Sequence, residues 1–399
     1  MKSFETSLGG KSAGNLLRCL CLLWMAGLAM RIAILAVPPV IPAIHNDLRL
    51  SETEVGLLIG LPLMVFAVAA VPGSLLVSRL GPAFTVVVGL IIAGFAAAAR
   101  GGATDVATLY AATLVMGFGT AVMQPAMPAL VRELLPERLN LGTAASTNGM
   151  LVGTTLPPAL TLPLVLPLLG QSWRVDLVVW ATLLLVAALL ILLLRPPSLG
   201  SAEPVSSGVR GWWPDWKNPL IWLLGIVFGC NNSIYFTANA FLPDYLAHLG
   251  ESELVGPALT CVNGAQLVAS FVLMPIADFV LGRRWPYLVV GPVAFLALCG
   301  IVLLDGYWIV FCAGVVGFAI AVVFVMMLAA PPVLARPGEV HRVAAGMFTI
   351  SYSCGVAIPA VSGALWDLTG VAWSTFVPLG VCAVTMTVCG VRLSGLRPR

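Results

Sequence analysis

The chain has 399 residues, 60% of them hydrophobic and 9% charged, with a formal net charge of +3. Soluble domains carry about 25% charged residues, so this composition, with a mean hydropathy of +1.02, excludes a soluble globular protein. Barrel strands would alternate over roughly ten residues. The apolar runs here are long and continuous, and they predict an all-α integral membrane protein.

Residues 1–17 are polar and weakly basic, without the small-residue cleavage site of a signal peptide, so the first apolar run is expected to be retained. A bilayer crossing takes about 20 apolar residues. Runs of that kind predict about twelve spans, at 18–44, 52–77, 83–100, 104–131, 140–167, 173–194, 219–246, 253–277, 285–304, 306–335, 342–369 and 372–392. The first holds Arg31, the only charged residue between Cys19 and Ile44. An arginine at the bilayer centre costs at least ~2.5–3.5 kcal/mol, so it calls for a partner. Pro38-Pro39, Pro157-Pro158 and Pro331-Pro332 interrupt spans. Such breaks are tolerated where neighbouring helices or a water-filled cavity satisfy the freed backbone groups. The pair Cys19-x-Cys21 reads as small core residues, with lipidation the alternative.

The most polar stretch, 195–218, reads as a cytoplasmic linker between halves at 1–194 and 219–399. With both termini cytoplasmic, sixteen Lys and Arg fall inside, and only Arg49, Arg100 and Arg174 outside. That asymmetry fixes the orientation and supports an even span count. The halves also repeat. Pro128-Ala129-Leu130 and Pro332-Val333-Leu334 lie 204 residues apart, and Arg138 with Arg342 and Gly142 with Gly346 keep the same offset. Two parallel six-span repeats around a central path make a transporter architecture, with the site near the midplane.

No span centre contains Asp or Glu, so Arg31 has no membrane-embedded counter-ion. A transported anion fits that vacancy, because a planar guanidinium binds carboxylates and small oxyanions with two parallel hydrogen bonds. The alternative is an arginine held by backbone carbonyls at the Pro38-Pro39 break. In span seven, Asn231, Tyr235 and Asn239 recur every four residues and share a helix face. Asn231 and Tyr235 are candidate ligand contacts, with Asn239 nearer the outer vestibule. Interhelical hydrogen bonding is the competing role for all three. Gln124, Asn148, Asn263, Gln266 and Tyr352 are further midspan polar groups that could surround a small solute. Arg100 reads as an interfacial arginine, and His45 as a solvated loop residue. Histidines occur only at 45, 248 and 341, near span ends, and there is no phosphate-binding loop. Neither an enzyme nor an ATP-driven pump is expected, and no cofactor or metal is implied.

Several stretches together resemble the major facilitator superfamily across nearly the whole chain, and within it the cyanate/nitroimidazole porter (CynX/NimT-type) family. They are Met30-Arg31 followed by Pro38-Pro39, Leu50-Ser51, Val55 to Leu58, Gly117-Phe118-Gly119 to Val131, Phe241 to Tyr245, and Gly363 to Gly370. The resemblance implies two pseudo-symmetric six-helix bundles and secondary transport by alternating access. It also leads to an expected acidic residue near the Gly-Arg pair of the loop after span two, where this chain has Ser78-Arg79-Leu80-Gly81. The matching loop of the second half keeps Asp278 with Arg283 and Arg284. These three, with Arg138 and Arg342, are the expected gating charges.

The expected protein is thus a monomeric, multi-pass transporter of the bacterial inner membrane. Its partners are the lipid bilayer and a small, anionic solute, and nucleic acid is not among them. An exporter of weakly polar drugs such as nitroaromatics is the alternative within the class, and a non-transporting membrane sensor the alternative outside it.

Overall fold

Lipid offers no partner to backbone N–H and C=O groups, so a chain in a bilayer must satisfy them within its own helices. The computed structural model describes the backbone of residues 2–194, 214–280, 285–336 and 339–394. It describes the side chains of these residues apart from 2–13, 67–72, 74, 274–280, 287, 329, 332–333, 341 and 394. Among the described residues there is no strand. The helices are α1 (Lys2–Leu35), α2 (Ile41–Leu48), α3 (Glu52–Leu80), α4 (Pro82–Gly101), α5 (Val106–Leu134), α6 (Leu139–Leu160), α7 (Leu166–Leu168) and α8 (Trp173–Leu194). The second half adds α9 (Pro219–His248), α10 (Val255–Val280), α11 (Trp285–Leu303), α12 (Tyr307–Leu334), α13 (Val340–Thr369) and α14 (Val377–Ser394). The short α2 and α7 continue α1 and α6, which leaves twelve helical columns among the described residues. Among the described residues, ten stretches are long and apolar enough to cross a membrane, with a shorter apolar helix at Leu288–Leu303.

Local chemistry sets the helix ends. Ser51 and Glu54 form a reciprocal capping box at the start of α3, and Asp105 with Thr108 does the same for α5. Gly81, at φ 80°, turns the chain from α3 into α4, where Pro82 occupies a first-turn position whose N–H would have no partner. Pro38 and Pro39 lack N–H groups, so α1 stops at Leu35 and helix resumes only at Ile41. Span one is therefore two helices at a break rather than one continuous run. After Pro157-Pro158, α6 widens into a π-helical turn at Thr161–Val165 before α7.

The two halves pack alike. α1 lies on α6 and α8, α3 on α5, and α4 on α5 and α8. In the second set α9 lies on α13 and α14, α10 on α12, and α11 on α12 and α14. The repeat-related stretches at 128–130 and 332–334 sit near the ends of α5 and α12, which hold matching places in this pattern. The sets meet chiefly where α3 packs on α13 and α6 on α10. The α3–α13 approach needs glycine. A Cβ at Gly56 would overlap the Pro359 carbonyl, and one at Gly363 would overlap the Glu52 carbonyl.

Candidate functional site

α1 carries Arg31 one turn before the break, half-buried. Among the described residues Arg31 makes no hydrogen bond and no ion pair. Its guanidinium acts electrostatically on two phenols, Tyr235 of α9 and Tyr352 of α13. Tyr352 stacks on Phe348 with ring centroids 5.8 Å apart, and meets Phe66 of α3 edge-on at 5.7 Å. Four columns, two from each half, thus place a cation and aromatic walls around one point.

The polar stripe of span seven is wholly buried. The Tyr235 hydroxyl donates to Asn263 Oδ1 at 2.8 Å. Asn263 Nδ2 donates to Asn239 Oδ1 and to the Leu259 carbonyl, each at 2.9 Å. Asn239 Nδ2 returns to the Tyr235 carbonyl at 2.9 Å. This closed circuit joins α9 to α10 and fixes the Tyr235 ring. Asn239 therefore sits inside the circuit, 1% exposed, on the side of Tyr235 nearer the His248 end of α9. Asn232 Nδ2 adds a bond to Ser351 Oγ of α13 at 2.7 Å. Gln266 also lies beside the Tyr235 hydroxyl, and its Nε2 has no partner. Asn231 Oδ1 is likewise buried and unpaired. A buried amide left without a partner costs about 1–3 kcal/mol, so these two groups are suited to a ligand or water.

Other expected contacts fall elsewhere. Asn148 of α6 accepts from Trp24 Nε1 at 2.9 Å, and Trp24 is seven residues before Arg31, about 10 Å along the helix axis. Gln124 on α5 is half-buried, and among the described residues no hydrogen bond ties it to the rest. Arg138, at the start of α6, is exposed, and Arg342 lies in the first turn of α13. The backbone of Asp278 is helical but its side chain is outside the described residues, as are Arg283 and Arg284 altogether.

Two expectations are overturned. Arg100 is not interfacial: it is 2% exposed, and its Nη2 donates to the Ala33 carbonyl at 2.7 Å, in the last turn of α1 before the break. The broken backbone thus has its arginine, and it is Arg100. Nor is His45 a solvated loop residue. It lies on α2, and its Nδ1 is 3.1 Å from Asp244 Oδ2 of α9 and 4.0 Å from Glu52 Oε1 of α3. Asp367 of α13 accepts from the Glu52 and Thr53 amides at 2.9 and 2.8 Å, and from Thr53 Oγ1. Nearby, Asp47 pairs with Arg174 and accepts from Trp173 Nε1 at 3.0 Å. All of this lies at the end that the basic-residue count assigns to the outside. In the sequence, Asp244 and Asp367 are acids near span ends with nothing local to single them out. Their partners are more than 190 positions away in sequence, and no local pattern marks such pairs.

Residues 22–261 match a family model described as the Major Facilitator Superfamily. The cyanate transport protein CynX of Escherichia coli (strain K12) is 24% identical over 384 residues, covering 95% of this chain and 97% of that protein. The 2-nitroimidazole transporter of the same strain is 25% identical over 278 residues, covering 68% of this chain and 67% of that protein. Among solved structures, a mutant form of the nucleoside transporter NupG superposes with a TM-score of 0.76 at 14% identity, covering 95% of this chain and 99% of that one.

Proposed function

The chain belongs to the major facilitator superfamily and is a membrane transporter, and on that premise we propose that it carries a small anion by alternating access, with Arg31 as the cation that neutralises the solute. The observation that carries this reading is a half-buried guanidinium without an ion-pair partner among the described residues, beside two tyrosines and the unpaired amides of Asn231 and Gln266. A buried cation is stable only when something compensates its lost hydration. One carbonyl at the competing backbone break, that of Ala33, is already bonded to Arg100. An anion would accept from the guanidinium and from Gln266 Nε2. The Asn231 amide can present its oxygen or, turned over, its NH₂. Tyr235 has its one hydroxyl proton committed to Asn263 and lines the site with its ring, and Asn263 and Asn239 are assigned to positioning rather than to direct binding. Cyanate, carried by the relative CynX, has the size and charge this arrangement suits.

In this reading the bundles 1–194 and 219–399 rock about the central site, joined by a cytoplasmic linker at 195–218. Both termini face the cytoplasm, and the protein works as a monomer in the bacterial inner membrane. Asp278, Arg283, Arg284, Arg138 and Arg342 are assigned to the cytoplasmic gate by resemblance alone. No carboxylate sits near the middle of a span, so exchange, uniport or a proton carried on the solute is the favoured energetics.

The test is a thermal-shift screen of the purified protein against small anions, cyanate included, repeated with Arg31→Gln. Anion-specific stabilisation of the wild type that disappears in the variant supports the proposal. Stabilisation that persists removes Arg31 from the site. A second reading has an observation of its own: the aromatic wall of Phe66, Phe348 and Tyr352 suits a flat, weakly polar molecule. A 2-nitroimidazole, carried by the other relative, is such a molecule. Stabilisation by nitroimidazoles that is insensitive to Arg31→Gln would favour it.

A further inference from the structure

The end of the molecule where α3 meets α13 carries a cluster that the transport site does not use. His45 (α2), Glu52 (α3) and Asp244 (α9) place Nδ1 and two carboxylate oxygens within 4.8 Å of one another. His45 is 3.1 Å from Asp244 and 4.0 Å from Glu52. A tetrahedral ion bound at about 2.0–2.2 Å needs its ligands about 3.4 Å apart. The two His45 separations, 3.1 and 4.0 Å, bracket that spacing.

Charge points the same way. Among the described residues, the only cation-forming group paired with Glu52 or Asp244 is His45. Asp367 brings a third carboxylate, committed to the amides of Glu52 and Thr53. Glu52 is 8% exposed, and its Oε2 is buried without a hydrogen-bond partner. Glu52 and Asp244 are buried in this seam beside the half-buried imidazole, with Asp367 exposed at the rim, and an uncompensated charge on the buried pair is costly. The His45 side chain keeps 28% of its surface exposed, which leaves a route in from the same end.

We propose that His45, Glu52 and Asp244 bind a divalent transition-metal ion of the zinc or cobalt class, which clasps the two helix sets together at this end. One imidazole and two carboxylates suit such ions, and three protein ligands leave a position for water. Calcium takes six to eight oxygens and is poorly served by this set. Asp367 acts behind the ligands by fixing the first turn of α3, from which Glu52 projects. Two ligands come from the first helix set and one from the second, so the ion can be held only while the seam is closed. Binding would therefore hold the transporter in the state open at the opposite end. The site does not depend on Arg31 or on the identity of the solute.

The experiment uses the full-length protein, stripped with EDTA, titrated with Co²⁺ and followed by visible absorption. A parallel thermal melt is recorded with and without Zn²⁺. The expected result is a one-to-one Co²⁺ spectrum displaced by Zn²⁺, and a Zn²⁺-dependent rise in melting temperature. Both should be lost, or weakened at least ~10-fold in affinity, in His45→Ala and in Asp244→Asn. Glu52→Gln gives a third reading should either variant fail to fold. Wild-type protein without a Co²⁺ spectrum or a Zn²⁺ shift overturns the proposal. So does a response that survives all three substitutions, or a seam stabilised by acid alone and indifferent to metal. In proteoliposomes, Zn²⁺ on the side of His45 should stop transport by the wild type.

Discussion

Asp367→Ala removes hydrogen bonds that tie the start of α3 to α13. Asp367 accepts from the Glu52 amide at 2.9 Å, the Thr53 amide at 2.8 Å and the Thr53 hydroxyl. The residue is exposed, so each amide bond is given the ordinary net value of about 0.5–1.5 kcal/mol rather than that of a buried charged contact. The two amides together give about 1–3 kcal/mol for holding the seam closed. At 1.4 kcal/mol per tenfold, seam opening should become about 5- to 140-fold more frequent. The donors are backbone amides, so hydrogen exchange reads the event directly. Peptides covering 51–56 should exchange faster by that factor in the variant. The first turn of α5, capped by Asp105 within its own helix, should exchange at the wild-type rate. If 51–56 exchanges within twofold of wild type, Asp367 does not hold the seam and the argument fails. If α5 accelerates equally, the variant has loosened the whole protein.

Arg100→Met keeps the apolar stem but leaves the Ala33 carbonyl without its donor, a loss of about 1–3 kcal/mol confined to the break. Amides of 36–41 should exchange faster, and an unchanged rate would show that the break holds without Arg100. Tyr235→Phe strands the buried Asn263 Oδ1, and the melting midpoint should fall by an amount corresponding to about 1–3 kcal/mol. Anion-induced stabilisation should weaken as well. Full anion stabilisation in this variant would leave the hydroxyl only its structural bond.

The helices were legible because lipid forces each span to be long, apolar and internally bonded. Expected spans 219–246 and 342–369 differ by two residues at one end from α9 and α13. The break at Pro38-Pro39 was legible too, since a missing N–H is a covalent fact. Which arginine serves it was not. Arg31 and Arg100 both lie in or beside apolar runs, and only the packing of α4 against α1 brings Arg100 to Ala33. His45 is hidden from the sequence for the same reason. Its partner Asp244 is 199 positions away, on the other half. Asn231, Tyr235 and Asn239 share a face, as their spacing predicts, but spacing does not distinguish a bonded amide from an unpaired one. That difference belongs to α10, which supplies Asn263.

The gap between α1 and α2 has a mechanical meaning. Arg31 rides on α1 and His45 on α2, and the two rigid pieces are joined by a short 3-10 turn at Pro38–Val40. The first span is therefore a jointed strut, with the central cation on one arm and the far latch on the other. Arg100 pins the α1 side of the joint by a single bond, to Ala33. Such a joint lets α2 swing as the latch opens while the arm bearing the cation stays in place. In the proposed transport cycle, access at one end then alternates without displacing Arg31.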